Sequence, residues 1–155
     1  MIRAFTRAAV LVLAGEAGFG FSAAGAGPAS ILPYDDPAEV EAGSAVYEEN
    51  CASCHGGDLQ GEADWQTRDG EGYLPAPPLD GTGHAWHHPD EQLLEVVRKG
   101  VAAIAGGGYK SRMEGFGGVL SDAELRQVLA YVKSRWPADV IARHNQINSQ
   151  GHAHD

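Results

Sequence analysis

Cysteine is scarce in this chain, with two residues in 155. That excludes a small fold stapled by several disulfides. Cationic side chains are also few: 11 Lys and Arg stand against 21 Asp and Glu, a net charge of −10 with histidine neutral. Nucleic-acid binding rests on a clustered basic surface, so that class of function is set aside. No apolar run approaches the ~20 residues that a membrane-spanning helix needs. No alternation of apolar and polar residues lasts long enough to mark a strand. Hydrophobic residues at 43% and charged residues at 21% are an ordinary soluble balance, and 155 residues suit one domain. Glycine is in excess: 21 residues, about twice the usual share of roughly 7%. Lacking a three-residue period, these glycines read as long loops and close backbone approaches.

Residues 1–26 read as a signal peptide. Arg3 and Arg7 precede the apolar run Ala8–Gly15, and Ala24-Gly25-Ala26 supplies a small-residue cleavage pattern. Glu16 interrupts the apolar region, and an uncleaved segment acting as a weak anchor is the alternative. Without residues 1–26 the chain holds 9 Lys and Arg against 20 Asp and Glu, a charge of −11.

Residues 27–35, with Pro28 and Pro33, read as a linker. Asp36-Pro37-Ala38-Glu39 then starts a helix running to about Cys51, with a capping aspartate, proline at the first helical position and glutamate three residues after the cap. Residues 56–88, punctuated by Gly and Pro, read as a long loop. A second helix is expected from His88-Pro89-Asp90-Glu91 to Gly100, closed by Arg98, Lys99 and the glycine. Residues 101–120 read as loop. Ser121-Asp122-Ala123-Glu124 is a capping box, and Leu125, Val128, Leu129 and Val132 lie on one face of the helix it opens. A last helical stretch is expected over about 137–147, with a disordered tail over 149–155 carrying His152 and His154. The compact domain then covers residues 36–148.

The chemistry is carried by Cys51-Ala52-Ser53-Cys54-His55, a C-x-x-C-H sequence. It is the attachment pattern for c-type haem. Two cysteines one helical turn apart can both add to the vinyl groups of one haem edge, and the adjacent histidine then faces the iron. A thioredoxin-like redox pair would need a preceding strand. A zinc site would need four ligands, and Cys51, Cys54, His84 and His87 are the candidates. A simple Cys51–Cys54 disulfide is the third alternative. For the second axial position the candidate is Met113, the one methionine left after residues 1–26. It sits in a glycine-rich segment, and a thioether favours ferrous iron and raises the potential. His84, His87 and His88 are its rivals. The bland reading of that imidazole-rich segment is that Trp86 packs near the haem, one histidine caps the helix at Pro89 and the others are solvated. The sharp reading is an accessory metal site or a switchable ligand. Trp65 is taken as a packing group.

These residues resemble the class I c-type cytochromes, and more closely the small exported monohaem cytochromes of bacteria, over about residues 36–136. Gly43, Tyr47 and Cys51 match that family's first helix, and Val128–Val132 its terminal helix, so the resemblance implies that Gly43 and Tyr131 meet where the two helices cross. Pro77-Pro78-Leu79 resembles the loop whose proline carbonyl accepts the Nδ1–H of the proximal histidine. Either proline could serve, with the spacing to Leu79 favouring Pro77. Gly108–Met113 and Phe116-Gly117-Gly118 resemble the methionine loop, with one departure: the family has proline after the ligand methionine, where this chain has Glu114.

The resemblance implies an all-α class I cytochrome c fold, with three to five helices and long loops around one covalent haem. Cys51 and Cys54 would hold it, Pro77, Pro78, Leu79 and Trp86 would line its pocket, and His55 and Met113 would ligate its iron. The implied function is one-electron transfer between periplasmic redox partners, without catalysis of its own. The acidic charge implies partners with a basic docking patch. A monomer is expected, soluble or weakly held at a membrane. Two alternatives remain: an electron-transfer subunit of a larger oxidoreductase, and a haem-based sensor whose Met113 loop opens.

Overall fold

The computed structural model describes residues 30–151. Among the described residues there is no β-strand, and six α-helices are present: α1 (Pro37–Asn50), α2 (Ala52–His55), α3 (Asp90–Lys99), α4 (Val101–Ala105), α5 (Asp122–Ser134) and α6 (Ala138–Gly151). The fold is all-α, with one helix more than the upper end of the three to five expected. The difference lies in short pieces. α2 is a single turn after α1, and α4 is five residues held between Gly100 and Gly106, both at positive φ. Residues 101–105 are therefore helix where loop was expected.

α1 starts as its sequence dictates. The Asp36 carboxylate accepts the Ala38 N–H at 2.9 Å, and Pro37 takes a first-turn position that needs no donor. α5 starts with a reciprocal capping box: Ser121 Oγ accepts from the Glu124 amide, and the Glu124 carboxylate accepts from the Ser121 amide. The inward face of α5 buries Leu125, Val128, Leu129 and Val132. Burying each such side chain contributes about 1.5–3 kcal/mol. Leu93, Leu94 and Val97 of α3 and Val140 of α6 join the same core.

α1 and α5 touch backbone to backbone. A Cβ on Gly43 would run into the carbonyl of Gln127 and lie 3.0 Å from Tyr131 Cβ. Only glycine permits that approach. One turn on, the Tyr47 and Tyr131 rings meet with centroids 5.3 Å apart.

Three boundaries differ from the sequence reading. The last helix does not stop at 147 but continues to Gly151, because His144 and Asn148, one turn apart, are both buried against the rest of the protein. Residues 149–151 are thus helix where a disordered tail was expected. Residues 30–35 are not a free linker: Leu32 is buried, while Ser30 Oγ and the Ile31 amide bond to the Asp90 carboxylate at 2.7 and 2.8 Å. No histidine side chain caps α3. Pro89 holds the cap position, and the Asp90 amide donates to Asn148 Oδ1 at 2.9 Å. The proposed signal peptide, the start of the linker, and His152 and His154 lie outside the described residues.

Candidate functional site

The site is built at the end of α1. The Cys51 amide donates to the Tyr47 carbonyl, closing α1, and the Cys54 and His55 amides donate to the Cys51 carbonyl at 3.1 and 2.9 Å. The five-residue motif is thus one hydrogen-bonded turn, with both cysteines free. Cys51 is half-buried and burial pushes its thiol up to about 11, with the neighbouring Cys54 adding to the shift. Cys54 is exposed. Tyr47 Oη donates to the Gly56 carbonyl at 2.8 Å, fixing the far end of the turn to α1.

His55 is buried, and its Nδ1 lies 2.9 Å from the Pro77 carbonyl oxygen. Of the two prolines in that loop, Pro77 makes this contact. The loop is brought there by a short backbone pairing: Leu79 N–H donates to the Leu59 carbonyl at 2.7 Å, and Glu62 N–H to the Ala76 carbonyl at 2.9 Å. Gly61 lies in this pairing at positive φ, where a Cβ would come 2.6 Å from the Pro77 carbonyl carbon. The Leu79 carbonyl is held from the other side by Trp136 Nε1 at 2.8 Å. Burial lowers the His55 pKa, opposed by the Pro77 hydrogen bond and the charge of Glu62. The ring is therefore neutral near neutral pH. With Nδ1–H given to Pro77, Nε2 carries the lone pair and makes no hydrogen bond among the described residues.

Met113 is half-buried at the edge of the core, in a loop sewn to the end of α3. Gly100 and Glu114 form an antiparallel bridge, and the Phe116 and Gly117 amides donate to the Val97 and Arg98 carbonyls at 2.8 and 3.0 Å. Cys51, Leu79, Trp86 and Met113, from four separate segments, all pack against the same hydrophobic core. Pro78 is buried, and Gly83 sits so close to its carbonyl that a Cβ there would collide with it.

The histidine-rich segment is ordered by ring contacts. His84 stacks on Trp65 with centroids 5.7 Å apart and meets His88 edge-on at 5.9 Å, while Trp86 lies edge-on to His87 at 3.8 Å. Among the described residues, no three His, Cys, Asp or Glu side chains gather into a cation site, so the Cys51–Cys54–His84–His87 zinc arrangement is absent there. No helix among the described residues is long and apolar enough to cross a membrane.

The residues present fit a c-type haem. Two free thiols lie on one turn, followed by a neutral imidazole whose outer nitrogen is oriented through Pro77 and whose inner nitrogen is uncommitted. Leu59 and Trp136, which hold the proline loop in place, belong to no motif in the sequence. Leu59 is buried at positive φ, an unusual backbone for leucine, and nothing in its sequence surroundings announces that.

Residues 38–132 match the family model described as cytochrome C oxidase, cbb3-type, subunit III. Among curated proteins, the cbb3-type cytochrome c oxidase subunit FixP of Sinorhizobium medicae is 30% identical over 96 residues, covering 61% of this chain and 29% of the relative. Subunit CcoP of an Azospirillum species is 33% identical over 97 residues, covering 63% and 29%. The chain spans less than a third of the length of these relatives. No solved structure matches significantly.

Proposed function

The chain belongs to the family of the cbb3-type cytochrome c oxidase subunit III, and from that premise we propose that it carries one haem, joined covalently through Cys51 and Cys54, and relays single electrons between redox partners. The observation that carries this reading is the His55 ring, given to Pro77 through Nδ1 with Nε2 left free. Bound haem supplies the one-electron couple of its iron. The protein's part is to hold and tune it.

His55 would hold the iron through Nε2. The Pro77 carbonyl fixes its tautomer and ring plane and raises its basicity. Met113 would supply the second ligand to the iron, a soft donor that favours the reduced state. Pro77, Pro78, Leu79 and Trp86 exclude water around the ring. Held by His55 and Met113, a bound iron would keep no position open to small molecules, and the domain would act as a carrier without catalysis of its own. The N-terminal pattern of residues 1–26 supports work in the periplasm.

The names of the relatives favour one setting for this carrier: a subunit that feeds electrons to an oxidase rather than a free shuttle. Copurification of a catalytic subunit with the tagged chain supports that setting, and isolation of the chain alone from its native membranes and periplasm counts against it.

Absorption spectra in both redox states, with mass measurement after denaturation, test the reading. One haem retained by mass through acid solvent extraction is expected. Met113→Ala is expected to lower the potential, abolish the far-red sulfur–iron band of the ferric form and admit carbon monoxide to the reduced form. A haem that extracts freely sinks the covalent attachment. A far-red band already absent from the wild type, with Met113→Ala unchanged in potential and carbon monoxide binding, moves the ligand elsewhere, first to His84, His87 or His88.

A further inference from the structure

The Met113 loop lacks the proline that the resemblance leads one to expect after the methionine, and the structure contains another means of holding it. Beyond Met113 the chain is fastened by backbone bonds to α3. Before it the situation is different. Gly106, Gly107 and Gly108 all have positive φ, and a Cβ on any of them would meet nothing within 4 Å. The glycines add no side-chain packing; apart from the Tyr109 amide, which donates to the Gly106 carbonyl at 2.9 Å, residues 109–112 are positioned by what their side chains reach.

All three long side chains reach the same segment. Arg112 Nη2 lies 2.7 Å from the Asp69 carboxylate and 3.3 Å from that of Glu71, with its guanidinium 4.2 Å above the Tyr73 ring. Lys110 Nζ donates to the Glu71 carbonyl at 2.7 Å and lies 5.6 Å from the same ring. Arg68 in turn covers the Tyr109 ring at 5.0 Å. The receiving segment is stiff. Asp69 Oδ1 accepts the Glu71 and Tyr73 amides, the Asp69 amide donates to the Tyr73 carbonyl, and Arg68 donates to the Gly72 carbonyl. In a chain with 11 basic residues, three of them, Arg68, Lys110 and Arg112, are spent on this one junction.

We infer that Arg112, with Lys110, Asp69, Glu71 and Tyr73, forms a clamp that holds the Met113 loop on residues 68–73 and sets how readily the sixth iron position opens. This rests on Met113 being the second axial ligand. Arg112 acts as a positioning residue through its neighbour. Its contacts are exposed, and single exposed ion pairs and cation–π contacts are individually weak. Several acting on one short loop bias a local equilibrium without deciding whether the domain folds.

The test uses the ferric holoprotein and imidazole as the entering ligand, comparing wild type with Arg112→Gln, Tyr73→Leu, Arg143→Gln and Met113→Ala. Arg112→Gln and Tyr73→Leu are expected to bind imidazole about three- to tenfold faster, the range that losing one or two weak surface contacts allows. The guanidinium unfolding midpoint should stay within error of wild type. Arg143→Gln, which breaks the exposed pair with Asp139 on α6, should behave as wild type in both measurements. Arg112→Gln binding imidazole at the wild-type rate, while Met113→Ala binds it much faster, overturns the clamp and leaves the ligand assignment standing. Met113→Ala binding at the wild-type rate overturns the ligand assignment, and the clamp's role with it. A fall in the unfolding midpoint matching the rate gain reduces the clamp to general stability and also overturns it.

Discussion

Lys133 and Asp90 face each other inside the protein, Nζ to Oδ1 at 3.6 Å, with side chains 0% and 1% exposed. Ser30 Oγ and the Ile31 amide occupy Asp90 Oδ2, while Oδ1 accepts no hydrogen bond among the described residues. Lys133 Nζ also donates to Ser30 Oγ and Asn145 Oδ1, and sits 4.6 Å from the Tyr34 ring. The pair thus joins the N-terminal segment, α3, α5 and α6 at one buried point.

Removing one partner is expected to be costly. Burial already pushes the Lys133 pKa down, and the charge of Asp90 is the first influence that restores it. Asp90→Ala leaves that ammonium without its carboxylate, and a loss of about 3–5 kcal/mol is expected by denaturant unfolding. The double change Asp90→Leu with Lys133→Met should lose much less, since no charge remains to be desolvated. Equal losses in the single and double variants would show that packing, not charge, holds this point.

His144 makes stability fall with acid. Its Nε2 donates to the His88 carbonyl at 2.9 Å, which leaves Nδ1 buried without a partner. Burial lowers its pKa from 6.5, and the Lys133 charge lowers it further, against opposing pulls from the His88 carbonyl and Asp90. The unfolded chain therefore takes up a proton here at a higher pH than the folded one. Stability contributed by neutral His144 is present above 6.5 and declines as pH falls below it, by up to about 1.4 kcal/mol per pH unit until the folded group titrates. Guanidinium midpoints from pH 7.5 to 4.5 should slope less in His144→Gln than in wild type. Parallel slopes reject the assignment.

Gly43→Ala tests the α1–α5 contact. The added methyl meets the Gln127 carbonyl, a backbone atom that cannot swing aside. Overpacking of this kind costs about 1–3 kcal/mol, and thermal unfolding of the holoprotein should show a lower midpoint. An unchanged midpoint would mean the helices separate at no cost.

Docking to a basic partner predicts a second-order electron-transfer rate that falls as salt rises, because opposite charges are screened over about 8 Å at physiological ionic strength. Glu114 is exposed in the Met113 loop, and Asp139 is exposed on α6 beside Arg143. Glu114→Lys should therefore alter the salt dependence more than Asp139→Lys. Stopped-flow reduction over a salt series decides it, and a flat wild-type series discards electrostatic docking.

What could be read in the sequence was what is local. The Cys51–His55 turn, the Asp36 cap and the Ser121–Glu124 box each lie within five residues, so their physics is complete in a short window. The buried face of α5 follows from Leu125, Val128, Leu129 and Val132 alone. The reading failed where polar residues do the work of apolar ones. His144 and Asn148 look like surface residues, and they hold α6 to Gly151 only because the His88 carbonyl and the Asp90 amide wait for them across the fold. Ser30 and Ile31 look like linker because their partner, Asp90, lies about 60 positions away. α4 escaped notice because five residues between glycines carry no periodicity. The proline loop was visible as a motif, yet its fastening by Leu59 and Trp136 was not, since neither contact has a sequence signature.

The turn bearing Cys51, Cys54 and His55 hangs from α1, and α1 is locked on α5 through Gly43. Residues 109–112 are held mainly by exposed side chains. His55 and Met113, the proposed ligands, therefore belong to units of unequal opening energy. Amide protons of the Cys54 and His55 turn should exchange with solvent only when the whole domain opens, while those around Tyr109–Arg112 exchange through small, frequent excursions. Under the proposed ligation, the adjustment to a change in iron charge would fall on a short surface loop and spare the helices that carry the fold.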